Sequence, residues 1–488
     1  MILILAFILA IALTVVSAFA VVSDAQCASD GNKKVVSDAA LSVPQCGTDG
    51  NKQCASDGNK KVVSDAALSV PQCGTDGNNE CASNGNNREA TPLKPLVEEA
   101  LLNNPEIKAA RARWEASTKR PSQVSTLPNP TIGVRYMNVS FDRLTLGEDD
   151  FTEFGIISAS QEFPFPGKLS LKGKIAKEEA EAEEEFSEAT VKRVLADLKE
   201  AYYEWYLVNK SIEITSKNKE LIEKFVKIAE AKYAVGRGIQ QDVIKAQVEL
   251  SGFIERLELL GQKKEVLEAK IRSILGRPPD SPIGKPEEVK KSELKLSLDE
   301  LYKLTESKSP ILLAQKNLIE RNDEAIKLAK KEYFPDFVVD FEWINRGEFT
   351  SDGPFADMWQ VRVGFIVPLY FWRKERFGVE EALYQLEEMK EEYNNTTLNI
   401  SFTVKDKYIT AKTSEKLLDL YSKGIIPQAA LSLDSAIAGY QVGNVDFLTL
   451  LDNLVTLFNF ELSYYTQLAE YQKALARIEE NIGMVLVE

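Results

Sequence analysis

The chain has 488 residues, 59 basic against 74 acidic side chains, a net charge of −15 and no histidine. The missing histidine excludes Ser-His-Asp and Cys-His catalysis, HExxH zinc chemistry and imidazole proton shuttles. An acidic balance without a basic stripe excludes nucleic acid as a partner.

Residues 1–20, MILILAFILAIALTVVSAFA, are almost wholly apolar and end in the small residues Ala18 and Ala20. This predicts a signal peptide cut after Ala20 and an exported chain. No later segment reaches the roughly 20 apolar residues of a membrane helix. Residues 21–92 form a polar leader. Gln26 to Lys52 and Gln53 to Asn79 are near-identical units with a period of 27 (53 − 26), and a third copy starts at Glu80. All five cysteines (Cys27, Cys46, Cys54, Cys73 and Cys81) lie there, with spacings that never form CxxC. The leader therefore reads as a spacer with no packed core, no metal site and one odd thiol. No cofactor is expected anywhere in the chain.

Beyond the leader the chain is duplicated. Leu101 to Ser117 matches Glu306 to Asn322 around a proline (310 − 105 = 205), and Leu127 to Tyr136 matches Phe334 to Trp343 (335 − 128 = 207). Tyr233 to Leu250 matches Tyr440 to Leu457 (440 − 233 = 207). Three landmarks at nearly one offset predict two structural repeats, residues 93–290 and 291–488. Each reads as helix, two strands, a long helix, a break and a further helix. Lys174 to Val235 contains neither glycine nor proline, which predicts a helix roughly 93 Å long; Val379 to Lys423 is its counterpart. Val194, Leu198, Ala201, Tyr202 and Trp205 recur at three and four, so one stripe is buried by lateral coiled-coil packing. The acidic run Glu178 to Glu185 is expected to be a solvated face.

The strands alternate with period two. Phe337, Val339, Phe341 and Trp343 share one parity, as do Trp359, Val361, Val363, Phe365 and Val367. The first half repeats the pattern with Ile132, Val134 and Tyr136, and with Ile157 and Ala159. An apolar face about nine residues long fits a tilted bilayer-spanning strand, with Trp343, Trp359, Tyr370 and Trp372 as an interfacial girdle. Four strands cannot close a barrel, and an open edge in lipid leaves backbone groups unpaired. Two chains would give eight strands around a filled interior; three would give twelve around a lumen lined by Arg135, Asp340, Glu342, Gln360 and Arg362. The polar lining favours three.

The residues NNPEI (Asn103 to Ile107), SASQEFPFPGKLSLK (Ser158 to Lys172) and the paired YxVG breaks at Tyr233 and Tyr440 resemble the TolC-type outer-membrane efflux family. The resemblance runs over roughly 93–483, and the FPFPGKL segment is most similar to the heavy-metal and cation branch. It implies a mixed α and β membrane protein: a homotrimer whose outer-membrane β-barrel continues as a coiled-coil helical barrel through the periplasm. It also implies contact with outer-membrane lipid, a periplasmic adaptor and an inner-membrane pump, and passive export of small substrates without catalysis. For the periplasmic gate it implies Asp452, matching the inner of two aspartates, and a tether between Asp242 and Tyr440. The outer aspartate is replaced by Thr449, and an assisting arginine by Val445. Should Asp452, Asp242 and Tyr440 not form the gate, Leu448 and Leu451 are the alternative, as an apolar constriction. The competing reading is an exported coiled-coil filament.

Overall fold

The computed structural model describes residues 90–137, 154–346 and 356–486; the expected signal peptide and cysteine repeats lie outside them. The first half runs β1 (Ala90–Thr91), α1 (Leu93–Asn103), α2 (Pro105–Ser117), α3 (Arg120–Ser125), β2 (Thr131–Met137), β3 (Phe154–Phe163), α4 (Lys168–Ala234) and α5 (Gln240–Leu275). The second runs β4 (Lys285–Pro286), α6 (Leu298–Lys308), α7 (Pro310–Lys331), β5 (Asp336–Arg346), β6 (Met358–Ile366) and α8 (Glu375–Leu420). It ends with a π-helical turn (Tyr421–Ile425), α9 (Ile426–Val442) and α10 (Phe447–Ile482). Both halves follow the expected order. β1 pairs in parallel with β4, so the folded body begins inside the segment assigned to the leader.

Helix α4 has 67 residues, about 100 Å at 1.5 Å per residue. It starts earlier than the sequence suggests because Gly173 lies within it; the true boundary is Gly167, at φ 91°. In the second half the helix outruns its expected end at Lys423, passing through the π turn into α9. Pro427 has no N–H and its ring crowds the carbonyl four residues earlier, and a widened turn just before it relieves that conflict.

The long helices form one layer in which α5 packs on α4, α4 on α10, and α10 on α8 and α9. Leu198, Tyr202 and Trp205 of α4 bury against Leu267, Ile271 and Leu275 of α5. Ile400 and Val404 of α8 bury against Ile478 and Ile482 of α10. Ion pairs stitch α4 to α10: Arg477 grips both oxygens of Glu200 at 2.6 and 2.5 Å and reaches Asp197 at 2.8 Å. Such bidentate, partly buried pairs fix geometry as well as adding energy. The acidic run is not the solvated face expected. Glu184 is exposed and the other glutamates of the run are half-buried, and burial, then the charges of Glu181 and Glu320, raises the pKa of Glu178. Among the described residues no carboxylate group is arranged to hold a metal ion, and no helix is long and apolar enough to cross a membrane.

The duplication is geometric as well as sequential. Gly276 (φ 68°) ends α5 against the Asn103 carbonyl and the Pro105 ring; Gly483 (φ 77°) ends α10 against the Lys308 carbonyl and the Pro310 ring. A Cβ at Gly483 would lie 2.7 Å from the Lys308 oxygen, so glycine is required there twice over. Gly483→Ala should lower unfolding stability by about 1–2 kcal/mol from the left-handed backbone alone. Gly252→Ala, with nothing within 4 Å of its Cβ, should gain about 0.5–1 kcal/mol. Chemical denaturation of the two variants side by side checks the contrast.

Candidate functional site

The four long strands form a single antiparallel sheet in the order β2-β3-β5-β6. Its register sorts the side chains onto two faces. Directly opposed across the sheet are Ile132, Ala159, Phe341 and Val361, and likewise Val134, Ile157, Trp343 and Trp359. This face is apolar and bare to its surroundings, with Val363 56% and Trp359 71% exposed; a monomeric soluble protein rarely leaves so continuous a patch open. Thr131, Ser160, Asp340 and Arg362 line up on the other face, as do Gly133, Ser158, Glu342 and Gln360. There Arg362 binds Asp340 at 2.9 Å, Arg135 binds Glu342 at 3.1 Å, and Gln360 donates to Glu342. All five residues expected to line a lumen thus share one face and pair across strands. Strands β2 and β6 are the sheet's edges.

Sequence reasoning missed the junction between sheet and helices. Lys168, the first residue of α4, is buried, and its ammonium donates to Glu332 at 2.8 Å, to Asp336 and to the Phe334 carbonyl at 3.2 Å. Asp336 also accepts from the Phe165 N–H at 2.6 Å, and the Phe165 and Phe334 rings stack at 4.6 Å. Lysine is seldom buried unless paired, and here two carboxylates and a carbonyl satisfy it. The FPFPGKL segment is this clasp. A lysine immediately after a strand exit was its only trace in the sequence.

At the opposite end the two helix breaks meet. Gly236 (φ 72°) and Gly443 (φ 83°) turn the chain after α4 and α9. Phe225, Val226, Ala229 and Ala246 share one core with Tyr440, Phe447, Leu450 and Leu454. Tyr440 is held by a cation and a ring. The Lys232 ammonium sits 3.6 Å from its ring centre and donates to its carbonyl at 2.6 Å, and the Phe447 ring lies tilted 5.6 Å away. Partial burial, reinforced by the Asp446 charge, raises the pKa of Asp242; Lys232 opposes the shift. Burial and then the Asp242 charge raise that of the Tyr440 hydroxyl. Asp242 and Tyr440 are therefore neighbours, but within the described residues no hydrogen bond joins them. Asp446 caps α10 by accepting the Thr449 N–H at 3.1 Å and also engages the Thr449 side chain; Thr449 and, one turn on, Asp452 are exposed. Leu451 is only 3% exposed and belongs to the core, so it lines no constriction; Leu448 is exposed. Val445, which stands where the family resemblance implies an arginine, packs against Gly439.

The sequence pattern of the outer membrane efflux protein family matches residues 96–277 and 301–484, the two halves in turn. The chain belongs to that family. It is 19% identical over 407 residues to the cobalt-zinc-cadmium resistance protein CzcC of Cupriavidus metallidurans, covering 80% of this chain and 90% of CzcC. Its fold is that of solved outer-membrane channels. The outer membrane protein VceC from Vibrio cholerae superposes with a TM-score of 0.69 at 18% identity, covering 81% of this chain and 96% of VceC. The CmeC outer membrane channel of Campylobacter jejuni does so with a TM-score of 0.69 at 13% identity, covering 86% and 94%. The protein is an outer-membrane efflux channel extending into the periplasm, with the expected β-barrel and helical-barrel architecture, and not a coiled-coil filament.

Two measurements follow from these faces and charges. Val363→Lys should destabilise the membrane-inserted protein by about 2–4 kcal/mol near the bilayer midplane. Gln360→Lys, opposite Glu342, should cost under about 1 kcal/mol. Equal costs in urea unfolding from vesicles would reverse the face assignment. At the tip, the folded chain holds the Asp242 proton more tightly than the unfolded chain does. Stability should therefore rise as pH falls through the raised pKa, level off below the ordinary 3.8, and lose this increment in Asp242→Asn. Hydrogen exchange at the two breaks reads it.

Proposed function

We propose that the protein is a homotrimeric, passive exit duct with no catalytic step. In this reading it carries small solutes received from an inner-membrane pump through a periplasmic adaptor. The observation that carries the reading is that both layers of the chain are open-edged in the same sense. Three antiparallel pairings separate β2 from β6, so the edges run in opposite directions, and β6 of one copy can pair with β2 of the next without reversing either. In the helical layer α5 exposes Ile244, Val248, Leu259 and Val266, and α8 exposes Leu398, Phe402 and Ile409. These spacings of 4, 11 and 7 are those of a coiled-coil seam. A head-to-tail ring would cover both seams together. Twelve strands, rather than eight, leave room for the arginines and carboxylates of the polar face to stay wet.

In such a ring Asp452, with Thr449 beside it, would recur three times at the closing tip. Asp242 and Tyr440 would stand ready to exchange a hydrogen bond between neighbouring coils, in place of the Lys232 contact that holds Tyr440 now. Uncompensated carboxylates around an axis favour cations and resist anions. That suits a cargo of metal cations, as does the similarity to a cobalt-zinc-cadmium resistance protein. Cross-linking in membranes should stop at trimers. Planar bilayers should show a conductance that divalent cations block, and Asp452→Ala should weaken the block. Dimers as the largest species, or unaltered block, would refute the ring and the tip assignments respectively.

A further inference from the structure

Past β6 the outward apolar face does not simply end. Leu369, Tyr370, Phe371 and Trp372 are exposed, and Arg373, Lys374 and Arg376, also exposed, follow at once. This stretch is rigidly built. The N–H groups of Arg373 and Lys374 donate to the Tyr370 carbonyl at 2.9 and 3.0 Å, and that of Arg376 donates to the Phe371 carbonyl at 2.9 Å. Trp372 packs edge-on against Tyr370 and Phe371 at 6.1 and 5.3 Å. The acidic groups nearby leave the cations incompletely matched. Arg376 reaches Glu380 at 3.1 Å, Lys374 lies 3.9 Å from the buried Glu375, and Arg373 has no ion-pair partner among the described residues. In the first half the corresponding strand exit runs into FPFPGK, whose Lys168 is buried in the clasp. The exposed aromatic and basic group belongs to the second half alone.

We propose that residues 370–376 bind the headgroups of anionic phospholipid in the leaflet facing the periplasm. Tyr370 and Trp372 would sit at the interface while Arg373 and Lys374 meet the phosphates. The helices leave the sheet at this end, so it is the periplasmic rim. Amphipathic rings settle at headgroup depth, and basic side chains beside a bilayer draw anionic lipid. The patch is continuous with the lipid-facing strands, and a local excess of positive charge on a chain of net charge −15 needs a negative partner. The proposal rests on the sheet spanning the membrane.

The test uses the full-length protein in nanodiscs of mixed phosphatidylcholine and phosphatidylglycerol, with retained lipid counted by native mass spectrometry. Phosphatidylglycerol should be enriched about tenfold over phosphatidylcholine, less so at high salt. Arg373→Gln combined with Lys374→Gln should abolish the enrichment, and Arg373→Lys should keep it. Unchanged enrichment in the double variant, or none in the parent, overturns the proposal. Displacement by millimolar inorganic phosphate would mark a free-anion site and overturn it as well. Loss of the oligomer in the double variant would identify the patch as a contact between copies and would likewise overturn it. A parent protein that never enters nanodiscs would remove the membrane reading itself, and the proposal with it.

Discussion

A sheet in a bilayer must satisfy every backbone N–H and C=O at its edges, because hydrocarbon offers no substitute partner. This chain supplies four strands and two open edges, and the rest of its architecture answers that deficit. Its apolar face is turned outward rather than packed on a core. Its polar face pairs its charges among themselves. Its helices follow the same logic in water, where the deficit is uncovered apolar surface rather than unpaired backbone. One chain is therefore a segment cut from a closed object, and the duplication within it repeats that segment at half size.

Most of this was legible in the residues, since periodicity reports directly on which side of an element is buried. The strand parities of Phe337 to Ile344 and Trp359 to Val367 reappear as the two faces of the sheet. The offsets near 207 reappear as the paired glycine ends at Gly276 and Gly483. Features that depend on partners distant in sequence were not legible. The burial of Lys168 was not legible because its partners Glu332 and Asp336 lie more than 160 positions away. The acidic run looked solvated because nothing in its own stretch announces that α7 lies over it. Helix ends were misjudged at Gly173 and Lys423 because one glycine does not break a helix supported along its length, and a proline can be absorbed by one wide turn.

The tip was the least legible part. Asp452, Thr449, Asp242 and Tyr440 do gather at one end, yet Lys232 and Asp446, whose charges act on Asp242, came from no motif. The π turn adds another asymmetry. Among the described residues it is present in the second half only; the matching helix of the first half is α-helical throughout. Leu451 turned inward and Asp452 outward is a detail that the sequence pattern leaves open.

The clasp at Lys168 stands at one end of a helix about 100 Å long, and the breaks near Tyr440 lie beside the other. Geometry makes this a lever: one degree of rotation at the clasp carries the far end through about 1.7 Å, roughly one helical residue rise. Any looseness where the sheet joins the helices would be magnified into an ill-defined position of the far end. A buried ammonium held by two carboxylates and a carbonyl is a stiff fulcrum, and its stiffness sets how precisely the distant helix end is placed.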